Sequence, residues 1–219
     1  MGSTLGCGTP ALLDGDEIVY PWCWKEFEIL DNGPLRFSVR LKYDAVKVEG
    51  KNFYETRTVS LDAGSQLNRC RVTYVDDEGK EAVGKKVAVG IVVHKENPSG
   101  WVCNAKSGYM GYEDLGAPNQ YKQKYRAVQN KDFGFIYVGA VFPDALDDMK
   151  YKEGQGLPGA NGHIIGVSSF TTQGKPLTYY FGSGWSRNPG TDFTSMAKWE
   201  KYLDNFAAQV KNPLKVSVK

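Results

Sequence analysis

Only two imidazoles occur in the 219 residues, His94 and His163, and a side chain that exchanges a proton near neutral pH is the usual starting point of acid–base chemistry. His94 closes the run Val87-Ala88-Val89-Gly90-Ile91-Val92-Val93. The run is apolar on both faces, as for a strand in the middle of a sandwich, and the polar cluster His94-Lys95-Glu96-Asn97 stands where that strand emerges. His163 follows a glycine-rich loop, residues 153–162, and opens another apolar run; a solvent-facing turn is its alternative reading. The loop lacks a Gly-Lys-Ser/Thr ending and leads to a strand, so it is no phosphate loop. Phe53, Glu55, Arg57, Val59 and Leu61 share one face of a strand, so Glu55 and Arg57 interrupt an apolar row. They are either an ion pair at a sheet rim or the lining of a polar cleft. Trp101 and Trp185, each next to glycine, offer flat faces to a sugar ring or fill the core.

The totals narrow the setting. Hydrophobic residues at 41% and charged residues at 24% suit a soluble globular domain and argue against disorder. A net charge of +2, without a Lys/Arg block, argues against nucleic acid as a partner. No apolar run approaches the ~20 residues needed to span a bilayer, so no membrane insertion is expected. Cys7, Cys23, Cys70 and Cys103 lack metal-site spacing, which leaves no metal or other cofactor in the expectation, and they are read as buried or unpaired thiols rather than disulfides. The aromatic share of 13% suits strands and sugar-stacking surfaces alike.

The elements that must position these groups are mostly strands. Leu35, Phe37, Val39, Leu41 and Tyr43 alternate with polar residues, and Asp31-Asn32-Gly33-Pro34 turns the chain from the Phe27–Ile29 alternation, which predicts a hairpin around which the rest is organised. Residues 1–16 show neither period and read as loop. Tyr20, Trp22 and Trp24 fall on one side of a short strand and read as core more than platform. Further strands are expected at Phe53–Leu61, Leu67–Val75, Phe133–Phe142, Ile164–Phe170, Pro176–Phe181 and Leu214–Val218. Only Phe193 to Val210 has a helical period, with Thr191, Asp192 or Thr194 as N-cap and Asn212-Pro213 as the stop. The expected fold is therefore all-β, one large antiparallel β-sandwich domain over residues 1–219 with one amphipathic helix near the C-terminus.

Several stretches carry a resemblance: Asp31-Asn32-Gly33-Pro34-Leu35-Arg36, Glu55 to Leu67, Val89 to Lys95, and Tyr179-Tyr180-Phe181-Gly182-Ser183-Gly184-Trp185. Over nearly the whole chain the sequence resembles the domain of unknown function 4861 family of bacterial polysaccharide-utilisation systems. Its Asn-Gly-Pro-Leu-Arg element also looks like the galactose-mutarotase-like supersandwiches. The resemblance implies the carboxy-terminal part of a longer protein, lacking an amino-terminal region that would be its partner. It also implies a periplasmic or extracellular location, and action on oligosaccharides or polysaccharides containing uronic acids, with some relatives eliminating water from a terminal uronic acid.

Elimination beside a uronate carboxylate needs a cation on the carboxylate, a base for the α-proton and an acid for the departing oxygen. Arg57, Arg40 or Lys95 would serve as the cation, His94, His163 or a tyrosine as the base, and Glu113 or Tyr112 as the acid. Trp101 and Trp185 would stack on sugar faces. His94 leads, because it ends a buried strand and the matching family stretch also carries His there. The competing readings are a non-catalytic carbohydrate-binding sandwich, a sugar epimerase or mutarotase, and a purely structural module.

Overall fold

The computed structural model describes residues 4–115, 134–154, 160–170 and 173–214. Two antiparallel sheets face each other across an apolar layer. The smaller holds five strands in the order β12 (Asp148–Glu153), β13 (Ala160–Ser169), β8 (Lys86–His94), β1 (Cys7–Asp14) and β2 (Glu17–Val19). The larger runs β3 (Trp24–Asn32), β4 (Arg36–Tyr43), β6 (Lys51–Asp62), β7 (Leu67–Asp76), β14 (Leu177–Trp185), β11 (Phe135–Val141), β10 (Tyr109–Leu115) and β9 (Trp101–Asn104), with β5 (Val46–Val48) also pairing with β6. The all-β sandwich with a single long helix read from the sequence is the fold found among the described residues.

The β-branched run of β8 lies between β13 and β1, as its two apolar faces require. Val87, Val89, Ile91 and Val93 enter the core between the sheets, where they meet Met110, Tyr112, Ala140 and Tyr179 from the larger sheet. Ala88 joins Leu5, Ala11, Leu13, Ile18, Ile165 and Val167 on the other face of the small sheet. Each buried aliphatic side chain contributes about 1.5–3 kcal/mol relative to exposure.

The helix α1 (Met196–Lys211) packs on the outer face of β10 and β11 through Trp199, Leu203 and Ala207. Its seat is a trough of bare backbone, because Gly111 on β10 and Gly139 on β11 stand opposite each other in register. A Cβ on Gly139 would lie 2.7 Å from Leu203 Cδ2, and one on Gly111 would lie 3.1 Å from Leu203 Cδ1. The N-cap is Ser195, whose hydroxyl accepts from the Lys198 N–H, and not Thr191, Asp192 or Thr194. The aromatic repeat starts before the helix does: Phe193 packs edge-on against Trp199 from the preceding loop.

Three expectations are corrected. Residues 7–14 are not loop but β1, a central strand of the small sheet. Gly8 (φ +76°) makes the bulge between Cys7 and Thr9 in the pairing with β8, and neither a bulged nor a doubly buried strand shows alternation. Trp22 and Trp24 are not core: they are 80% and 49% exposed, where the chain crosses from β2 to β3. The β3–β4 hairpin forms with the expected turn, yet it stands at the edge of the large sheet, and every residue of β3 is exposed. Alternation reports that a strand has two unlike faces, not that the apolar one is covered. The strand expected over Leu214–Val218 lies, from residue 215, outside the described residues.

Candidate functional site

His94 is the last residue of β8, at the mouth of the sandwich, where β10 passes over the strand end. Tyr112 projects inward from β10, and its hydroxyl accepts the His94 backbone N–H at 3.1 Å. Two residues further along the same face, Asp114 Oδ1 lies 3.0 Å from His94 Nδ1. A carboxylate only accepts, so Nδ1 carries a proton, and in the neutral ring Nε2 keeps its lone pair. The Asp114 hydrogen bond raises the His94 pKa above its ordinary 6.5, with partial burial pulling the other way and the charges of Asp114 and Glu96 adding to the rise. The side chains of His94 and Asp114 are 37% and 28% exposed, so solvent or a ligand reaches the pair. An oriented imidazole of this kind is a competent general base.

The neighbouring inner-face row extends the mouth. Asp114 is in register with Ile136 on β11, and Ile136 with Trp185 on β14. At ~4.8 Å per strand, the Trp185 backbone stands about 10 Å from that of Asp114. Ile136 and Trp185 are 40% and 48% exposed, so a flat apolar surface adjoins the imidazole–carboxylate pair. Lys95 follows His94 directly and is exposed. His94, Lys95, Tyr112 and Trp185 are thus gathered at one end of the sandwich.

His163 lies on β13 opposite Val92 of the adjacent β8, close enough that a charge on His94 disfavours its protonation. Its role differs. The buried Nε2 accepts the Leu5 N–H at 3.2 Å, the ring packs on Tyr20, and burial with the His94 charge pushes its pKa down to about 4. Its basic lone pair is already used to pin the segment that precedes β1.

The remaining sequence candidates sit elsewhere. Arg57 and Glu55 form a buried pair on the inner face of β6, with Arg57 Nε 2.6 Å from Glu55 Oε1, the Tyr74 hydroxyl donating to Oε2 at 2.9 Å, and the Tyr43 ring beneath the guanidinium. Burial opposes the Arg57 charge, but Glu55 outweighs it and holds the guanidinium ionised. This is the ion-pair alternative, inside the sheet layer. Arg40 is on the opposite face of the large sheet, 2.7 Å from Glu28. Glu113 points away from Asp114, toward α1, and accepts from the Tyr137 hydroxyl. Trp101 is stacked on Tyr151 with ring centroids 5.6 Å apart, and its N–H goes to the Pro98 carbonyl.

Asp114 was missed by residue-type reasoning, although the signal was present: on a strand, Tyr112 shares its face with Asp114 and not with Glu113. Among the described residues no group of three or more His, Cys, Asp or Glu is placed to hold a metal ion. All four cysteines are free, with burial pushing Cys7 and Cys103 up to about 11 and Cys70 to about 12. No described helix is long and apolar enough to cross a membrane.

No solved structure matches the chain. Uncharacterized protein P7 of Formosa agariphila is 21% identical over 218 residues, covering 100% of this chain and 48% of that protein, so the chain spans about half the length of this relative. The profile described as "Domain of unknown function (DUF4861)" matches residues 1–216, and with nearly every residue inside that match the chain belongs to the DUF4861 family.

Proposed function

We propose that the mouth around His94 is an eliminase site acting on uronic-acid-containing oligosaccharides outside the cytoplasm. The observation that carries the reading is the His94–Asp114 contact of 3.0 Å at a half-open rim, which engages Nδ1 and not Nε2. In this scheme Nε2 takes the proton α to the uronate carboxylate and Lys95 offsets the carboxylate charge. The electron pair of the broken C–H bond forms the new C=C as the β-C–O bond breaks, and the departing oxygen leaves with a proton as water or an alcohol. Trp185 and Ile136 give the sugar ring a flat apolar neighbour. Tyr112 is the acid candidate nearest the pair; burial pushes its pKa up to about 12, so it keeps its proton at neutral pH. A galactose-mutarotase-like supersandwich is the architecture this reading assigns to the two-layer fold.

Incubation with uronic-acid oligosaccharides, followed by the ultraviolet absorbance of an unsaturated uronate, tests the proposal. His94→Ala is expected to lower the rate by about 10²–10⁴-fold. Absorbance unaffected by that substitution removes His94 from the mechanism. Binding with no new absorbance supports a carbohydrate-binding module, and a change in optical rotation without unsaturation supports an epimerase.

A further inference from the structure

Asp148-Met149-Lys150-Tyr151-Lys152 alternates along β12, an edge strand of the small sheet. Met149 and Tyr151 turn into the core, so the pleat sends Asp148, Lys150 and Lys152 to the outer face. There they stand in register with Val167, Ile165 and His163 of β13. Lys86, at the start of β8, and Asp16, in the turn after β1, help to close a cleft of about 380 Å³ floored by Leu13, Ile165 and Val167. That volume lies within the range of small-molecule sites, about 300–1,000 Å³. The charges around it are unequally used. Lys150 pairs with Asp148 at 2.6 Å, and the Ser169 hydroxyl donates to Asp147 at 2.6 Å. Lys86, Lys152 and Asp16 make no ion pair or side-chain hydrogen bond among the described residues. They share one field nonetheless: the Lys150 hydrogen bond first and the Lys86 charge in addition hold Asp148 below its ordinary range, and Asp16 adds to the rise that Asp148 imposes on Lys150. On the outer face of the β3–β4 hairpin, by contrast, Arg36, Arg40 and Lys42 each meet a carboxylate.

We infer that this cleft binds an acidic oligosaccharide, with Lys152 and Lys86 each holding the carboxylate or sulfate ester of a different sugar unit and Asp16 accepting from a hydroxyl. Two observations select that ligand. Unpaired donors and an unpaired acceptor around one cleft suit a molecule that carries anions and hydroxyls together, whereas a bare anion leaves Asp16 opposed. The positions of Lys152 and Lys86 in register on β13 are His163 and Ser169, six residues and ~20 Å apart, which one small anion cannot bridge. The cleft is separate from the mouth at His94: His163, buried and packed against Tyr20, lies along β13 between Ile165 and the end that pairs with His94. The inference rests on the uronate reading above only for the choice of carboxylate over sulfate.

The test is calorimetric titration of His94→Ala, which leaves the sugars intact, with and without Lys86→Met plus Lys152→Met. The probes are a uronic-acid tetrasaccharide, its carboxyl-reduced form, a sulfated neutral tetrasaccharide and sodium sulfate. Both lysines are unpaired and Met keeps an apolar stem, so the lysine changes are expected to leave the melting temperature within a degree or two. In the wild-type background they should also leave the rate of unsaturation of a uronate disaccharide unchanged. Affinity for the uronate tetrasaccharide should fall by about tenfold or more, to that of the carboxyl-reduced sugar. Equal affinity with and without the two lysines overturns the inference. Sodium sulfate that displaces the tetrasaccharide at equal concentration shows a bare anion site and overturns it too. Lysine-dependent binding of the sulfated sugar, with no binding of the uronate, upholds the cleft and counts against the uronate reading instead. Unsaturation by the wild type without lysine-dependent binding of either acidic sugar does the reverse.

Discussion

A histidine is worth what its second nitrogen touches. At His94 the second nitrogen meets Asp114, which raises the imidazole pKa above 6.5. Asp114→Asn is expected to bring the His94 pKa back toward the ordinary value in an NMR titration, and to shift the acid limb of any His94-dependent activity to lower pH. An unmoved His94 titration contradicts the assigned pair. Because the folded-state pKa is raised, the contact stabilises the fold fully below pH 6.5, and that contribution is lost as pH rises through the folded value. The Asp114→Asn penalty is therefore larger at pH 5.5 than at pH 8.5, by ~1 kcal/mol or less for side chains this exposed.

His163 runs the opposite way. Its folded pKa is about 4, so the unfolded chain binds the proton first and stability falls as pH drops from 6.5 toward 4. The full effect is about 3 kcal/mol. His163→Gln, whose side-chain oxygen can still accept the Leu5 N–H, should flatten urea-unfolding stability across that window. An unchanged acid slope would show that the buried imidazole is not its source.

At the scale of elements, the sheet layer carries one expensive polar insertion and one steric requirement. Arg57→Met leaves Glu55 buried, with only Tyr74 as partner, and is expected to cost about 3–5 kcal/mol in denaturant unfolding. The double variant Arg57→Met plus Glu55→Leu should recover much of that loss, since a well-packed apolar pair needs no compensation. A double variant as unstable as the single one would mean that the pair itself contributes stability. Gly139→Ala pushes a methyl into Leu203 and is expected to destabilise by about 1–3 kcal/mol. The paired change Gly139→Ala plus Leu203→Ala makes room for the methyl but empties the helix face, so it should not restore wild-type stability.

Across the whole molecule, protection should follow the sheet order. Amides of β8 are paired on both sides and buried, so hydrogen exchange there is expected to be slowest and to approach the global unfolding free energy. The outward-facing amides of β3, an edge strand exposed at every residue, should exchange orders of magnitude faster in the 219-residue chain. Comparable protection of β3 would mean that something covers the hairpin in solution.

The amino-acid order alone determined the strand-rich class, the doubly buried β8, the hairpin turn at Asp31-Asn32-Gly33-Pro34 and the helix face carrying Trp199 and Leu203. Each follows from local periodicity and turn chemistry, which neighbouring residues set among themselves. Tertiary structure alone decided that His94 meets Asp114 while His163 serves Leu5, that Glu113 turns to the helix, that residues 7–14 form a central strand, and that the most regular hairpin stands at an uncovered edge. Those outcomes depend on which strand lies beside or across from which. That pairing is settled by contacts between residues far apart in sequence, 158 positions in the case of Leu5 and His163, and no local pattern encodes it.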